Sequence, residues 1–588
     1  MNSRPAAVLA CLLTLSLAAC GGGDDSPKTA EGKDGKPPIG AAEDFKVKKS
    51  LVSKGASAGD ASAVEDYVPE GELVADSGFR PERDGFGFEN YGNDVEPQNL
   101  GPPQVQDLFG DQVCLVGSGA ECQLIPAAQE WMENQNEGMA GGHCQGFSVT
   151  ALRMYNELIA PSDYGARVPA ALEIVGNVDL QASIAEHFTY QFLPPIVEGR
   201  VKGAPSEVLQ QLVDALNTGE ELYTLGVYKP DLSGGHAITP FAVEDKGDGE
   251  YAILVYDNNF PGTTRAVQVN TNDETWNYVS GTNPDDLGQV YEGSAETETL
   301  ELDPTLPVEE EYSPCPFCGG GSTEADAEKG SVLEKSERYM EITLGGDPRN
   351  HPHLVFTDDD GRRTGVVDGK FLQEIPEVEV VKTFATRNWE GAPEPRFRFP
   401  EGKEYTITVD GTDLEKPTTT NVDLVGNGLF IEIEEIKLAP GQKDEMALPG
   451  GYGITYQSNG TDEMAPNLYA GLEEDGAAYN FAASAVGVKQ GSTLSLLVEQ
   501  EEKVVILDST GAEGVLDGDG VFILQLTKLD SKGRISQWQA GEVLLNGAKE
   551  EKAAFEYGTS PRRGKPLPIV ILDKDAEEKD VIEAKPEP

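Results

Sequence analysis

One cysteine of the chain stands where the sequence could support covalent chemistry. Cys144 ends a glycine-rich run that begins at Gly138, and apolar residues at 147, 151, 154 and 158 then recur at helical spacing. Cys144 is therefore predicted at the N-terminus of a helix, where the macrodipole and free backbone N–H groups stabilise an anion. A thiolate placed there could attack a carbonyl carbon. The alternative is a buried, inert thiol at a helix start.

A cysteine nucleophile needs a base, and His236 is the best placed of the five histidines. His143 adjoins the nucleophile and is interpreted as structural. His187 is interpreted as a core or surface residue. His351 and His353 form an H-x-H pattern that could place two metal ligands on one strand face, but a loop beside a strand is preferred. No metal site and no cofactor are therefore predicted.

A predicted hairpin brings a carboxylate to His236. A helix over 204–218 and a strand over 222–228 precede a glycine-rich turn, which places His236 at the start of the next strand. The partner strand, 251–256, ends at Asp257 and Asn258. Either side chain could orient the imidazole. Asp257 is preferred because it directly follows the apolar run, and Asn258 remains the alternative.

The order Cys144, His236, Asp257 resembles the papain-like cysteine peptidase superfamily. The motifs that carry the resemblance are Gly-His-Cys-Gln-Gly-Phe, Gly-Gly-His-Ala-Ile and Tyr-Asp-Asn-Asn-Phe-Pro-Gly, within residues 105–300. The resemblance implies an α+β domain with the cysteine on a central helix and the histidine and aspartate in an antiparallel β half. It also implies a Cys144 nucleophile, a His236 base and an Asp257 orienter, which act on a peptide or protein substrate. Transglutaminase-like proteins share this order, so acyl transfer to an amine stays open.

The sequence departs from papain in three respects. The Cys-Gly-Ser-Cys-Trp signature is absent, and the interval from cysteine to histidine is short, at 236 − 144 = 92 residues. The glutamine expected six residues before the cysteine is Gly138. Gln135 or Asn136 could supply the oxyanion-hole amide instead, together with the backbone N–H of Cys144.

Four further cysteines are interpreted as structural. Cys114 and Cys122 flank a Gly-Ser-Gly turn, which suits a local disulfide. Cys315 and Cys318 form a C-x-x-C motif, for which a disulfide is preferred over half a zinc site or a redox pair. Cys144 is then left as the unpaired thiol.

The N-terminus resembles a bacterial lipobox. An apolar run over 6–19 ends in Leu-Ala-Ala before Cys20, and a Gly-Gly-Gly-Asp-Asp tether follows. The resemblance implies cleavage before Cys20 and lipidation of its thiol; the alternative is an ordinary signal peptide. It predicts a protein of the bacterial cell envelope, on the outer membrane in a diderm cell. The protein would face the periplasm or the exterior and contact the membrane through the lipid anchor only.

Charge and length bound the remaining function classes. The chain has 588 residues and a formal net charge of −57, with 102 acidic and 45 basic residues. Such a charge disfavours nucleic acid as a partner. A mean hydropathy of −0.38 excludes a polytopic membrane protein. The length allows about three or four domains.

The predicted organisation is a catalytic-type domain followed by β-sandwich modules, because short alternating strands separated by Gly, Asp and Pro turns dominate from about 330. These modules suggest an alternative function, a catalytically inactive adhesin or scaffold that binds a ligand. The predicted segments are a signal peptide (1–19), a flexible tether (20–65), a pro-segment or extension (66–104), the papain-like domain (105–300), an acidic linker with the C-x-x-C motif (301–330), two β-sandwich modules (331–415 and 416–572) and a disordered acidic tail (573–588).

Overall fold

The computed structural model describes most of the chain after residue 65. The predicted signal peptide, Cys20 and the tether lie outside the described residues, as does most of the predicted linker. The described residues are 66–230, 232, 234–279, 290–305, 313–318, 339–384, 393–426, 428–449, 452–460, 465–487, 492–500, 502–511, 519–546, 550–557, 564–573, 575 and 577–586.

An α+β region is built on an antiparallel sheet of eight strands. Its strands are β1 (Glu72–Asp76), β4 (Tyr223–Tyr228), β5 (Gly235–Gly247), β6 (Glu250–Tyr256), β7 (Thr264–Asn270), β8 (Thr275–Val279), β9 (Val290–Ser294) and β10 (Leu300–Pro304). The order is β10-β4-β5-β6-β7-β8-β9, with β1 paired to β5. A small hairpin, β2 (Cys114–Val116) and β3 (Gln123–Leu124), stands apart. β10 is thus part of this sheet, although the linker was predicted to begin at 301.

The α+β region also contains the seven α-helices of the described chain. They are α1 (Pro81–Asp84), α2 (Pro102–Phe109), α3 (Pro126–Gly138), α4 (Cys144–Tyr155), α5 (Val178–Phe188), α6 (Pro194–Gly199) and α7 (Pro205–Thr218). Helix α4 begins at Cys144 and packs closely against α5. A Cβ atom on Gly146 would lie 2.0 Å from the backbone oxygen of Ile184, so only glycine permits this approach.

The segment 66–104 belongs to the fold of the α+β region. Strand β1 pairs with β5, and the Tyr67 hydroxyl donates a hydrogen bond of 2.5 Å to Glu244. The Asn90 side chain accepts a hydrogen bond of 2.8 Å from the backbone N–H of His143, the residue before Cys144. This segment therefore supports the start of α4 rather than preceding the domain as a separate extension.

The rest of the described chain is a β-sandwich of twenty strands in antiparallel pairs. The strands are β11 (Tyr339–Leu344), β12 (His353–Thr357), β13 (Arg363–Val367), β14 (Lys370–Gln373), β15 (Glu379–Val381), β16 (Arg396–Pro400), β17 (Thr406–Asp410), β18 (Thr418–Gly426), β19 (Leu429–Leu438), β20 (Lys443–Ala447), β21 (Gly453–Gln457), β22 (Asn467–Glu474), β23 (Ala477–Gly487), β24 (Ser492–Glu499), β25 (Val504–Gly511), β26 (Asp519–Asp530), β27 (Ile535–Asn546), β28 (Lys552–Glu556), β29 (Leu567–Leu572) and β30 (Glu578–Pro586).

Successive hairpins of the sandwich alternate between its two sheets. The hairpins β18–β19, β22–β23 and β26–β27 pair side by side in one sheet, and β20–β21, β24–β25 and β28–β29 do so in the other. The hairpins of the first sheet begin at Thr418, Asn467 and Asp519, roughly fifty residues apart, so the sandwich is a structural repeat.

The sandwich has one continuous core rather than two modules. Strand β17 pairs with both β12 and β20, and β18 pairs with β11, so strands on the two sides of residue 415 hydrogen-bond to one another. One cluster of buried apolar residues extends from Met340 to Ala584. The predicted boundary near 415 is therefore wrong.

The predicted disordered tail also differs from the structure. Strand β30 pairs with β27 and β29, and its apolar residues Ile582 and Ala584 pack on the core. High charge in this segment masks the alternating apolar positions that allow it to join the sandwich.

The two regions share a packed junction. Arg396 and Arg398 of β16 bind Glu341 of β11, at 3.1 and 2.7 Å. Arg398 also donates a hydrogen bond of 2.6 Å to the backbone oxygen of Phe192, in the α+β region. Among the described residues, no helix has both the length and the apolar character needed to cross a membrane.

Candidate active site

The structure brings Cys144, His236 and Asp257 together in the interior of the α+β region. Cys144 is the first residue of α4, and His236 is the second residue of β5. The β5–β6 hairpin places Asp257, directly after β6, beside the imidazole, and His236 Nε2 donates a hydrogen bond of 2.9 Å to Asp257 Oδ1. The backbone N–H of Ala237 points at the Cys144 sulfur, at 3.5 Å.

The second imidazole nitrogen of His236 is left for the thiol. Nδ1 makes no well-formed hydrogen bond within the described chain, and Cys144 lies close enough to interact with the imidazole. Burial by itself lowers the pKa of His236. The Asp257 carboxylate and the Cys144 side chain outweigh burial and raise that pKa to about 10. The imidazole therefore holds its second proton at neutral pH.

The carboxylate of Asp257 is held in its ionised form. Burial raises its pKa, but His236, the Tyr278 hydroxyl and the backbone N–H of Asn259 together lower it below the ordinary value. Tyr278 donates a hydrogen bond of 2.6 Å to Oδ2, and the Asn259 N–H donates one of 2.9 Å to Oδ1. Asp257 therefore presents a charged, oriented oxygen to the imidazole.

Asn258, the alternative orienter, has a different position. Its side-chain amide donates to the backbone oxygens of Cys144 and Ala237, at 3.1 and 2.9 Å. It also lies 3.3 Å from the Ser148 hydroxyl. Asn258 thus ties the first turn of α4 to β5, while Asp257 contacts the imidazole.

The two candidate oxyanion-hole amides also differ. The Asn136 side chain exchanges hydrogen bonds with the backbone N–H and carbonyl of Leu100, at 3.0 and 3.1 Å, so it has a structural role. The Gln135 side chain is fully buried, and neither its Nε2 nor its Oε1 has a hydrogen-bond partner in the described chain. Of the two, Gln135 is the amide left available to bind another group.

A phenylalanine of the sandwich covers the thiol. Cys144 is 0 % exposed and packs in an apolar cluster with Tyr228, Leu232, Ala237 and Phe384. Phe384 follows β15, and its backbone N–H donates a hydrogen bond of 2.6 Å to Gln191 Oε1. Its ring packs at a tilt of 31° against that of Tyr228, with 4.6 Å between ring centroids. No sequence pattern near Cys144 indicated this cover, because Phe384 lies 240 residues downstream.

A cavity of about 770 Å³ opens beside this cover. Leu232 belongs both to its wall and to the apolar cluster around Cys144. Phe371 also lines the cavity and packs against that cluster, and Lys382 lies 4.4 Å from the centroid of the Tyr228 ring. Leu232 and Phe371 therefore connect the wall of this cavity to the apolar cluster that contains the thiol.

The remaining cysteines of the described chain are paired. Cys114 is bonded to Cys122 and Cys315 to Cys318, and Cys144 is the free cysteine. Both disulfides pack in one apolar cluster with residues of α2 and α3. A closed Cys315–Cys318 bond offers no thiolate to a metal ion.

The other histidines lie away from the thiol chemistry. His143 is buried, and burial lowers its pKa to about 4 despite a hydrogen bond of 2.6 Å to the backbone oxygen of Tyr91. His187 is buried within α5. His353 begins β12 and lies beside His351 and Glu394. Glu394 was not singled out in the sequence, since it lies about forty residues after the histidines with no motif around it.

Comparisons of the chain with protein-family models, with curated proteins and with solved structures found no match. The functional interpretation therefore depends on the site itself. A thiol at a helix start, an imidazole and a buried carboxylate are the three kinds of group that cysteine-dependent acyl transfer uses.

Proposed function

We propose that the α+β region is a papain-like cysteine hydrolase, a peptidase or a related acyl-transfer enzyme. The observation that carries the proposal is the His236 imidazole, which stands between the Cys144 thiol and the Asp257 carboxylate with a separate nitrogen for each. The hydrogen bond to Asp257 occupies Nε2 and leaves Nδ1 for the sulfur. This arrangement serves a proton shuttle, whereas an inert core thiol needs no such partners.

The reaction begins with attack of the Cys144 thiolate on the carbonyl carbon of an acyl substrate. The carbon–sulfur bond forms, the carbonyl electron pair moves to the oxygen, and backbone N–H groups at the start of α4 stabilise the oxyanion. The tetrahedral intermediate collapses with cleavage of the bond to the leaving amine, which takes the proton from His236. A thioester and a neutral imidazole remain.

Water then resolves the thioester. His236 takes a proton from the water while the water oxygen attacks the thioester carbon. The second tetrahedral intermediate then collapses and expels the Cys144 thiolate. The products are a carboxylic acid and the regenerated ion pair. An amine in place of water would give a transferase with the same residues in the same roles.

Substrate access requires movement of the cover. Cys144 is buried beneath Phe384 and Leu232, so a peptide reaches the sulfur only when this part of the junction opens. The 770 Å³ cavity beside Leu232 is the proposed approach. Small thiol reagents need a smaller opening than a peptide and are the first probes to use.

The test is covalent labelling of the native full chain with iodoacetamide and with an epoxide probe, mapped by mass spectrometry. Labelling of the native chain is expected on Cys144 and not on the four disulfide cysteines. The Cys144→Ala variant should lose the label. Asp359→Asn, in an exposed turn, is the matched control and should label as the wild type does. Equal labelling of Cys144→Ala and the wild type would disprove the assignment.

The proposal includes a lipid anchor at Cys20. Its support is the lipobox-like sequence, which places small residues before the cysteine and a polar tether after it. Cells that express the chain should incorporate labelled fatty acid into it, and the Cys20→Ser variant should not. Incorporation into Cys20→Ser would place the lipid elsewhere.

The cover over Cys144 favours a second candidate function, a catalytically inactive scaffold that binds a ligand through the sandwich. In that case Phe384 would be a permanent part of the core. The native wild type and a Phe384→Ala variant would then both resist labelling, although denatured protein would react at Cys144. Turnover of any acyl substrate that is lost in Cys144→Ala would exclude this alternative.

A further inference from the structure

Two histidines and a glutamate of the sandwich converge on one oxygen atom. His353 Nδ1 lies 2.8 Å from Glu394 Oε2, and His351 Nδ1 lies 3.6 Å from the same oxygen. Each of the three side chains offers a ligand atom, and these atoms all lie within 4.8 Å of one another. The two rings are nearly perpendicular, with centroids 5.3 Å apart.

The backbone of the sandwich orients this cluster. The backbone N–H of Leu354 donates a hydrogen bond of 2.9 Å to Glu394 Oε1, which directs Oε2 at the histidines. His353 is fixed as the first residue of β12, where it pairs with Asp410 of β17. A second carboxylate, that of Asp413, lies 3.8 Å from His353 Nε2. An outer carboxylate on the far nitrogen is typical of histidines that bind metal.

The distances match the size of a small divalent ion. With metal–nitrogen and metal–oxygen bonds of about 2.0–2.1 Å in a tetrahedral site, neighbouring ligand atoms are about 3.3 Å apart. The observed 2.8 and 3.6 Å lie on either side of that value. His351 Nδ1 also lies 2.9 Å from the backbone oxygen of Pro352, a contact that a small rotation of the ring would exchange for the ion.

A simple ion pair explains only part of this arrangement. His353 and Glu394 alone would satisfy each other, but the pair gives no reason for a second imidazole to face the same oxygen. His351 and Glu394 also line a cleft of about 1020 Å³. The cluster is therefore open on one side, which is the arrangement of a three-ligand site with one position free for water or a ligand.

We propose that His351, His353 and Glu394 form a binding site for a divalent transition-metal ion, with Zn²⁺ as the ion best matched to two imidazoles and one carboxylate. The free coordination position faces the cleft. This site lies in the sandwich and does not depend on the proposed thiol chemistry of the α+β region.

The experiment uses the full chain in a Cys144→Ala background, which removes the one free thiol of the described residues as a competing ligand. The metal-free protein is titrated with Zn²⁺ by calorimetry, and with Co²⁺ by visible absorption. One ion per chain is expected, with a Co²⁺ spectrum typical of nitrogen and oxygen ligands. Absence of binding up to about 100 μM ion, or a second equal site, would overturn the proposal.

The variants locate the ion. His353→Ala and Glu394→Gln should each weaken binding by about a hundredfold or more, since loss of an outer-shell partner alone costs up to that amount. Asp359→Asn is the control for weak binding by exposed acidic residues and should leave the affinity unchanged. Unchanged affinity in both ligand variants would contradict the assignment.

A measurement on the unsubstituted cluster covers the case in which a variant fails to fold. Zn²⁺ at a hundredfold excess over its dissociation constant should raise the unfolding temperature of the Cys144→Ala protein, because binding to the folded state stabilises it by mass action. Mg²⁺ at the same concentration should not, since it prefers oxygen ligands. Equal shifts from both ions would contradict a histidine-based site.

Discussion

The two regions of the molecule each contain a histidine–carboxylate pair, and the pairs differ in surroundings rather than in length. His236 lies 2.9 Å from Asp257 in the α+β region, and His353 lies 2.8 Å from Glu394 in the sandwich. Burial opposes charge on both imidazoles, and in both the carboxylate more than reverses it and raises the pKa. His236 is 0 % exposed, whereas the side chain of His353 is 20 % exposed.

Each pair lies beside a third group, and the chemistry of that group determines what the pair can do. Nδ1 of His236 has no hydrogen-bond partner among the described residues, and the Cys144 side chain is close enough to raise the pKa of the ring, so proton transfer between ring and sulfur is the proposed role. His353 Nδ1 and His351 Nδ1 both lie near Glu394 Oε2. These three donor atoms could bind one metal ion. Under the two proposals, a histidine–carboxylate pair would serve proton transfer in the buried site and cation binding in the more exposed one.

The largest expected effect is on the alkylation rate of Cys144 when His236, the base of the buried His236–Asp257 pair, is removed. His236→Ala should slow alkylation of Cys144 by about 10²–10⁴-fold near pH 7, because the thiolate loses its neighbouring cation and the proton loses its acceptor. The rate is measured by mass spectrometry, with Asp359→Asn as the control. A rate within twofold of the wild type would show that the thiol does not depend on the imidazole.

The next prediction concerns Phe384, whose removal should raise rather than lower the rate of Cys144 alkylation. Phe384→Ala should raise the rate of Cys144 alkylation by about tenfold or more, since deletion of a buried phenylalanine ring removes about 3–5 kcal/mol of packing at the site. Phe384→Leu keeps an apolar side chain over the sulfur and should give a smaller increase. If all three proteins react at the same rate, Phe384 does not limit access.

The pH dependence of stability tests the pairing of His236 with Asp257. The pKa of His236 is raised to about 10 in the folded state, against about 6.5 unfolded. The pair therefore stabilises the fold fully below pH 6.5, and this contribution is lost as the pH rises through about 10. In Asp257→Asn the carboxylate that raises the pKa is absent, so most of this loss should disappear.

The measurement is the free energy of unfolding in urea, for the wild type and Asp257→Asn, at pH 7 and pH 10. The difference between the two proteins should shrink by at least about 1 kcal/mol at the higher pH. Lysine and tyrosine titrations occur in both proteins and cancel. A difference that stays constant would show that the imidazole is not held as a cation.

Much of the sealed site could be predicted from the sequence because its parts are local. The apolar spacing after Cys144 marks the start of α4, and the apolar run before Asp257 marks the end of β6. The turn at Gly247–Gly249 then folds β6 back along β5, so that the start of β5 lies beside the end of β6. The cover by Phe384 could not be predicted, since it depends on how a distant loop of the sandwich packs on the α+β region.

The sandwich shows the same limit on a larger scale. Its strands have local signals, since the short alternating strands predicted from about 330 onward include segments that form β11 and β12. The pairing partners of those strands have no local signal in the sequence. Strand β11, for example, pairs with β16 and β18, which lie far along the chain. The alternation of hairpins between two sheets depends on which strands pair. The spacing of strands along the sequence does not reveal this pairing, and it therefore suggested a boundary at 415 where none exists.

The smallest expected effects are changes in the free energy of unfolding when the outer partner of each histidine–carboxylate pair, Tyr278 or Asp413, is substituted. Tyr278 donates a buried hydrogen bond of 2.6 Å to Asp257, so Tyr278→Phe leaves a buried charge with one donor fewer and should lower the free energy of unfolding by about 1–3 kcal/mol. Asp413 is 52 % exposed and 3.8 Å from His353, so Asp413→Asn should cost less than about 1 kcal/mol. Urea unfolding at pH 7 measures both. Equal losses would mean that burial does not separate the two sites, and the contrast between a sealed proton-transfer pair and an open cation-binding pair would fail.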